Sequence, residues 1–445
     1  MEKSIAYYSL GCKVNLYESE AISNELEDNG FIIKDFNDVC DCYIINTCSV
    51  TLTGDSKSRK IIREAIKRNN DALFVIMGCY AELLPNDIVN IFDDFKANLK
   101  KNINYIVTGT TNRDKLANLI IDYFNNKDNE LNHELIIHED VLLKKDYEEL
   151  KVKRFNDKTR GFVKIQDGCD NYCAYCTIPY ARGHNRSRNI SDCVDEIRRL
   201  TESGMKEIVL TGINTGAYGL DLGLSLVDLL KEVVKIEGLG RIRISSIEQT
   251  EVTLELIEFM FEHKEHFCLH FHMPLQGGCD NTLKRMKRKY DIKGYLDKIN
   301  LIRSYFPNIN ITSDILTGFS GETSKDFEES LKLIDSIGFG EIHVFPYSRR
   351  PRTIAYDFSD QVSDVVKKYR VKMLLELNNK KALEYRRKFE GKILSVVVER
   401  SKNGECMGHS SNYLEVRFKG NAKANELVNV RIIKAGYPES IGELI

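Results

Sequence analysis

The sequence predicts an α/β protein in three parts: an N-terminal doubly wound parallel sheet, a central partial (β/α) barrel and a small C-terminal antiparallel β-barrel. Short apolar runs alternate with helix-period stretches through residues 1–125 and again through 156–388, the pattern of parallel strands joined by helical crossovers. From residue 389 to 445 the pattern changes to short β-type runs separated by turn signals. A length of 445 residues also exceeds what one hydrophobic core organises.

In the first part, IAYYSL precedes a helical stretch from Asn15 to Leu26, and CYIINT precedes one from Ser56 to Arg68. ALFVIMG then leads to a helix near Asp87, and NYIVTG to Asp114–Phe124. Three of these strands run into cysteine: Cys12, Cys48 and Cys79. In an open parallel sheet the carboxyl ends of the strands share one edge, where ligands bind, so the three thiols are expected to converge there. Residues 126–155 are polar and highly charged and read as a linker.

The second series runs GFVKIQ, EIVLTG, RIRISS, FCLHFHMPL, ITSDILTGF and EIHVFPY, with helices beginning near Ser191, Ser225, Thr253, Tyr290 and Thr323. Six such units fit an open barrel whose active site lies at the strand carboxyl ends. A long basic helix follows, from Asp364 to Lys392, with ten Lys/Arg against four Asp/Glu. The tail strands are KILSVVVER, MGHSSNYLEVRF and ELVNVRIIKAG.

Composition narrows the function. A net charge of −2 confines any nucleic-acid contact to local basic patches. The N-terminus, MEKSIAYYSLGCK, has no apolar signal core, and no run approaches the roughly 20 apolar residues that span a bilayer, so a cytoplasmic location is expected. Thiols stay reduced there, so regularly spaced cysteines among the twelve point to metal binding or catalysis.

The strongest such spacing is Cys169, Cys173 and Cys176, just after the first barrel strand. A 4Fe-4S cluster held by three thiolates keeps one iron open to substrate, whereas four thiolates saturate it. Zinc is the competing metal, with His184 close enough in sequence to complete a tetrahedral set, and spacing alone does not separate the two.

The segment IQDGCDNYCAYCTIPYARG resembles the radical S-adenosylmethionine (SAM) enzymes, specifically the methylthiotransferases, and GCKVNLYESE, NTCSVT and MGCY resemble that family's N-terminal domain. The resemblance implies two 4Fe-4S clusters, one on Cys169, Cys173 and Cys176 that chelates SAM, and an auxiliary one on Cys12, Cys48 and Cys79 that carries the sulfur to be inserted. One SAM supplies a methyl group and another a 5′-deoxyadenosyl radical, so that an unactivated C–H becomes C–S–CH3. Cys40 and Cys42 are alternative ligands by proximity; with Cys193, Cys268, Cys279 and Cys406 they read as small core residues.

By the same resemblance the SAM-side segments LTGIN, ISSIE, PLQGG and DILTGFSGE nominate Thr211, Gly212, Asn214, Ser246, Glu248, Gln276 and Gly318, with Glu248 an acceptor for ribose hydroxyls. Each also reads as a strand-end cap. His270 and His272 read as hydrogen-bonded core histidines. The tail, with GHSSNYLEV, resembles the RNA-binding TRAM domain, so a tRNA anticodon loop is the implied partner, alongside an electron donor and a sulfur source whose identities are open. Lys284, Arg285, Arg288, Arg386 and Arg387 are the candidate phosphate contacts, although a basic helix face is ordinarily solvated surface. GCKVN and RISSIE look most like the branch that modifies N6-threonylcarbamoyladenosine beside the anticodon.

Two departures stand out. RRPRT follows HVFPYS where an R-x-G-T sequence is expected, so Arg352 replaces a small residue, and PLQGGC stands for PLQSGS. The reading from another class is a non-catalytic iron-sulfur RNA-binding protein, against which a three-thiolate site argues, since a structural cluster gains nothing from an open iron.

Overall fold

The computed structural model describes residues 3–125, 134–155 and 159–445. Strands β1 (Ser4–Ser9), β2 (Ile32–Ile33), β3 (Cys42–Thr47), β4 (Leu73–Gly78), β5 (Tyr105–Thr108) and β6 (Glu134–Ile137) form one parallel sheet in the order β2-β1-β3-β4-β5-β6. Every residue of β3 and β4 is buried, because helices cover both faces. Ile62, Ile66, Ile88 and Phe92, from the helices Leu52–Arg68 and Pro85–Leu99, pack on one face. Ile22, Leu26, Leu116 and Ile120, from Lys13–Asp28 and Leu116–Asn125, pack on the other.

The stretch read as a linker is therefore structured where it is described. It contributes β6, which pairs parallel with β5, and Leu150, Val152 and Phe155 enter the barrel's core beside Tyr17. Alternating charge masks these few apolar residues in the sequence. Residues 126–133 of that stretch lie outside the described residues.

The central part contains β7 (Gly161–Lys164), a short antiparallel pair β8 (Gln166–Asp167) and β9 (Arg186–Ser187), then β10 (Glu207–Thr211), β11 (Arg241–Ile244), β12 (His270–His272), β13 (Asn310–Thr317) and β14 (Glu341–Pro346). Two three-stranded parallel sheets, β11-β10-β7 and β12-β13-β14, are joined by the bridges Ile242–Phe267 and Ser246–His272. The result is a six-stranded open (β/α) barrel in sequential order. Its helices start where the sequence places caps: Ser225 with Asp228 and Thr323 with Asp326 form capping boxes, and Thr253 and Asp291 accept from first-turn amides.

Strands β15 (Ile393–Lys402), β16 (Glu405–Ser410), β17 (Glu415–Lys419), β18 (Leu427–Lys434) and β19 (Glu439–Leu444) close a barrel in the order β15-β16-β17-β19-β18. All pairings are antiparallel except β17–β19, a departure from the wholly antiparallel expectation; β19, polar and glycine-bearing, is silent in the sequence pattern. This small barrel caps the amino-terminal end of the large one. Arg241 donates to the carbonyls of Ser395 and His409, Arg243 to those of Ser410 and Ser411, and the Asn310 amide to that of Asn412.

Candidate active site

Cys12, Cys48 and Cys79 follow the carboxyl ends of β1, β3 and β4, which are adjacent in the sheet. Asn15 holds two of these ends together, donating to the carbonyls of Leu10 (2.8 Å) and Thr47 (3.0 Å). Gly11 has φ +92°, and a Cβ there falls 2.7 Å from Cys48 Sγ, so glycine is what lets the first loop approach the second. Cys40 and Cys42 lie at the opposite, amino-terminal end of β3, packed in the two cores of the sheet, and are not part of this group.

The β8–β9 pair pinches off the loop carrying Cys169, Cys173 and Cys176. Gly168 (φ +75°) sits where any Cβ meets the His184 carbonyl oxygen at 1.8 Å, and the Cys169 amide donates to Gly183 at 3.0 Å. The apex is pinned on both sides, with Ala174 N donating to the Met286 carbonyl and Ala355 N to that of Ala174. His184 faces outward, half-exposed, and engages Asp170 at 2.6 Å.

Burial pushes the free thiols of Cys169 and Cys48 up to about 12 and raises those of Cys79 and Cys176, with neighbouring thiols adding to the effect for Cys48 and Cys176. Such a set ionises only against compensating positive charge, which is what a metal centre provides. Among the described residues no three cysteine sulfurs lie within 4.8 Å of one another. Tetrahedral zinc, with bonds of about 2.3 Å, requires sulfurs about 3.8 Å apart. Two three-thiol sets, the second with His184 exposed and engaged by Asp170 and so supplying no fourth ligand, fit 4Fe-4S groups held by three thiolates each.

Each set carries one buried arginine on a sulfur. Arg288 Nη1 donates to Cys173 Sγ at 3.0 Å, and Arg182 Nε to Cys79 Sγ at 3.4 Å. Arg182 is fully buried and also binds Glu18 (2.6 Å), Asn15 (2.6 Å) and Asp167 (3.2 Å). Three buried cations (Arg113, Lys164, Arg182) thus meet three buried carboxylates (Glu18, Glu148, Asp167), with the partly exposed Lys144 on Glu148 at the rim (2.7 Å), in a network that ties the first helix to the second cysteine loop. Burial alone raises the Glu18 carboxyl, but Arg113, Arg182 and Lys164 outweigh it and hold the group well below the usual carboxylate range.

A cavity of about 390 Å³ lies at the barrel's strand ends, lined among others by Cys12, Lys13, Thr211, Ser246, His272 and Tyr413. Gly212 lines it too, and its flat surface admits the Gln166 side chain, whose Oε1 is 2.8 Å from the position of a Cβ. Two residues past Ser246, Glu248 shares a smaller cleft with Asn171, Cys173 and Arg288, and Asn214 shares a third with Asn171 and Glu251. Gln276 (φ +64°) and Gly318 (φ +70°) lie outside all three; the Gly318 amide is taken by the Glu322 carboxylate. His270 and His272 both hydrogen-bond the Thr312 hydroxyl at 2.9 Å, as expected, and both line the cavity. Burial, reinforced by Arg243, holds His270 well below its ordinary value and therefore neutral.

Residues 163–334 match the Radical SAM superfamily and residues 4–99 match Uncharacterized protein family UPF0004. The chain is 39% identical to the threonylcarbamoyladenosine tRNA methylthiotransferase MtaB of Bacillus subtilis (strain 168), an alignment covering 99% of this chain and 96% of that relative. The chain belongs to the radical SAM methylthiotransferase family. It is 33% identical to a tRNA-2-methylthio-N(6)-dimethylallyladenosine synthase of Thermoanaerobacter sp. (strain X514), covering 100% of this chain and 93% of the relative. Among solved structures it shares its fold with the radical SAM methyltransferase TsrM of Kitasatospora setae, at 15% identity and TM-score 0.55, covering 92% of this chain and 81% of that one.

Two sequence expectations need correction. Arg386 is 2% exposed, its guanidinium on the carbonyls of Gly340 and Ala382, so it fastens the long helix to β14 and faces no RNA. Arg288 has a side chain only 3% exposed, between Cys173 and Glu248, and is part of the cysteine site. Glu248 is ion-paired with that arginine through Oε2 and lines the cleft beside it. Lys284 and Arg387 are exposed, while Arg285 is tied to Asp360 at 2.7 Å. Arg352 adopts φ +67°, the left-handed conformation suited to the glycine it replaces, at a cost of roughly 1–2 kcal/mol. The neighbouring Arg350 is buried and donates to Asp55 (2.5 Å) and Ser49 (2.6 Å), beside Cys48. Sequence reading missed Arg182, Lys13, Glu251 and Tyr413 as individual residues, although Arg182, Lys13 and Tyr413 lie inside the motifs IQDGCDNYCAYCTIPYARG, GCKVN and GHSSNYLEV.

Proposed function

We propose that this chain is a tRNA methylthiotransferase that converts N6-threonylcarbamoyladenosine at position 37 into its 2-methylthio derivative. The observation that carries the reading is the pair of three-thiol sites, one at the strand ends of the N-terminal sheet and bordering the central cavity through Cys12, the other after the first barrel strand and bordering the adjoining cleft through Cys173. A reaction that activates a carbon and delivers sulfur needs both. When bound, SAM and the two 4Fe-4S clusters of this family supply the radical, the sulfur and the methyl group.

The protein's part is to hold and orient. Cys169, Cys173 and Cys176 bind the first cluster and Cys12, Cys48 and Cys79 the second, with Arg288 and Arg182 donating N–H groups to one sulfur of each. Thr211, Gly212, Asn214 and Ser246 border the space for SAM, where Glu251 stands beside Asn214 at 2.6 Å, and Gln276 and Gly318 shape the outer turns. The small barrel presents Tyr413 to the floor of the cavity, the exposed Lys284 and Arg387 draw the phosphates of the anticodon loop, and the target base, extruded from its stack, enters the cavity. An electron donor and a sulfur source complete the cycle. Among the described residues no helix is long and apolar enough to cross a membrane, and all twelve cysteines are free thiols, which supports work in the reducing cytoplasm. The names of the relatives support the threonylcarbamoyl branch over the dimethylallyl one.

Mass spectrometry of tRNA nucleosides from cells with and without this protein tests the reading. Loss of 2-methylthio-N6-threonylcarbamoyladenosine with accumulation of the parent nucleoside is expected; unchanged levels of both reject it.

A further inference from the structure

The central cavity has an unusual charge balance. Lys13 and Arg243 line it, and no Asp or Glu does. Arg243 is already bonded to Glu207 at 2.7 Å, together with Arg241 at 2.6 Å, and Arg160 divides itself between Glu207 and Glu399. Four cations (Lys13, Arg160, Arg241, Arg243) therefore face two carboxylates around the cavity's base. Lys13 is the member left over, with no hydrogen bond or ion pair among the described residues. It stands one residue from Cys12, where the adenine carbon to be modified must come close. On its side the cavity also offers the Thr312 hydroxyl and the ring of Tyr413, stacked on His270 at 4.7 Å.

We infer that Lys13 is the carboxylate-binding residue of the substrate pocket, pairing with the threonyl carboxylate of the modified adenosine and so selecting it over nucleosides with an apolar N6 group. This rests on the threonylcarbamoyladenosine reading. The threonylcarbamoyl group is an anion bearing a hydroxyl and an amide, which matches a cation set beside the Thr312 hydroxyl in a cavity with no lining carboxylate. A dimethylallyl group offers no acceptor, and docking it strips water from an unpaired ammonium, so discrimination comes as much from that penalty as from the favourable pair.

The test uses the reconstituted holoenzyme and two synthetic anticodon stem-loops, one with the natural threonyl carboxylate and one with the corresponding neutral carboxamide. Wild type is expected to bind the carboxylate form about ten- to a hundredfold more tightly, the usual worth of a charge-assisted contact. Lys13→Gln is expected to bind both forms alike, and Lys13→Arg to keep most of the preference. SAM carries a carboxylate too, so its affinity is measured in parallel and is expected to stay within about twofold in Lys13→Gln; a loss there, with the stem-loop preference intact, assigns the lysine to SAM and overturns the inference. Equal binding of both stem-loops by wild type overturns it as well, and needs no variant. So does a full preference retained in Lys13→Gln with iron content unchanged. Wild-type enzyme that leaves threonylcarbamoylated tRNA unmodified while acting on another nucleoside is the separate failure of the substrate reading.

Discussion

Replacing Arg182 with methionine removes one of the three buried cations (Arg113, Lys164, Arg182) that face Glu18 and Asp167 and leaves these two carboxylates buried with less positive charge against them. The side chain is fully buried, so water does not screen the loss. Breaking a buried ion pair from one side costs about 3–5 kcal/mol. At about 2–4 °C per kcal/mol for a cooperative unit of 150–250 residues, the thermal transition should fall by on the order of 10 °C. The assay is anaerobic differential scanning calorimetry of the cluster-loaded protein. Adding Glu18→Gln removes one of the carboxylates left short of positive charge, and the double variant should recover part of the loss although it has fewer ion pairs. A drop below about 2 °C for Arg182→Met, or a double variant less stable than the sum of the singles, refutes the view that charge balance holds this junction together.

Other outcomes follow from neighbouring groups. Burial, then Glu248, lifts the Glu251 carboxyl from 4.5 to about 7. Between those values the folded state holds more protons than the unfolded one, so this group's contribution falls by about 3 kcal/mol as pH rises through the window. Glu251→Gln, which mimics the protonated form, should therefore gain melting temperature relative to wild type between pH 5 and pH 8; an unchanged difference contradicts the assignment. Arg288→Gln takes a cation from Cys173 and should shift the barrel cluster's reduction potential negative in an EPR-monitored titration. Lys284→Ala and Arg387→Ala should each reduce the salt slope of tRNA binding by about 0.7–0.9 and leave stability alone, whereas Arg386→Ala should lower stability and leave that slope unchanged.

These contrasts mark where sequence is informative. Cys12, Cys48 and Cys79 were legible as one group because parallel strands present their carboxyl ends on one edge, and the barrel helices because Ser225, Thr253 and Thr323 are caps. Arg386 was misread because counting charges along a helix does not say which face they occupy. In the long helix the buried positions are 370, 374, 378, 382, 385 and 386, a stripe at helical spacing that takes in two arginines. Each is accommodated by a partner remote in sequence: Arg370 by Glu322 at 2.6 Å, Arg386 by the Gly340 carbonyl just before β14. The base of the cavity was equally hidden, since Lys13, Arg243 and Tyr413 come from three separate parts of the chain and meet only in the assembled fold.

The central claim is that the two thiol sets perform separate halves of one reaction, and paired cysteine variants measure it most directly. With product formation followed by mass spectrometry in reconstituted enzyme, Cys169→Ala should abolish SAM cleavage and sulfur insertion together, while Cys48→Ala should retain some cleavage to 5′-deoxyadenosine and lose sulfur insertion. Sulfur insertion that survives Cys48→Ala, or cleavage that survives Cys169→Ala, contradicts the account.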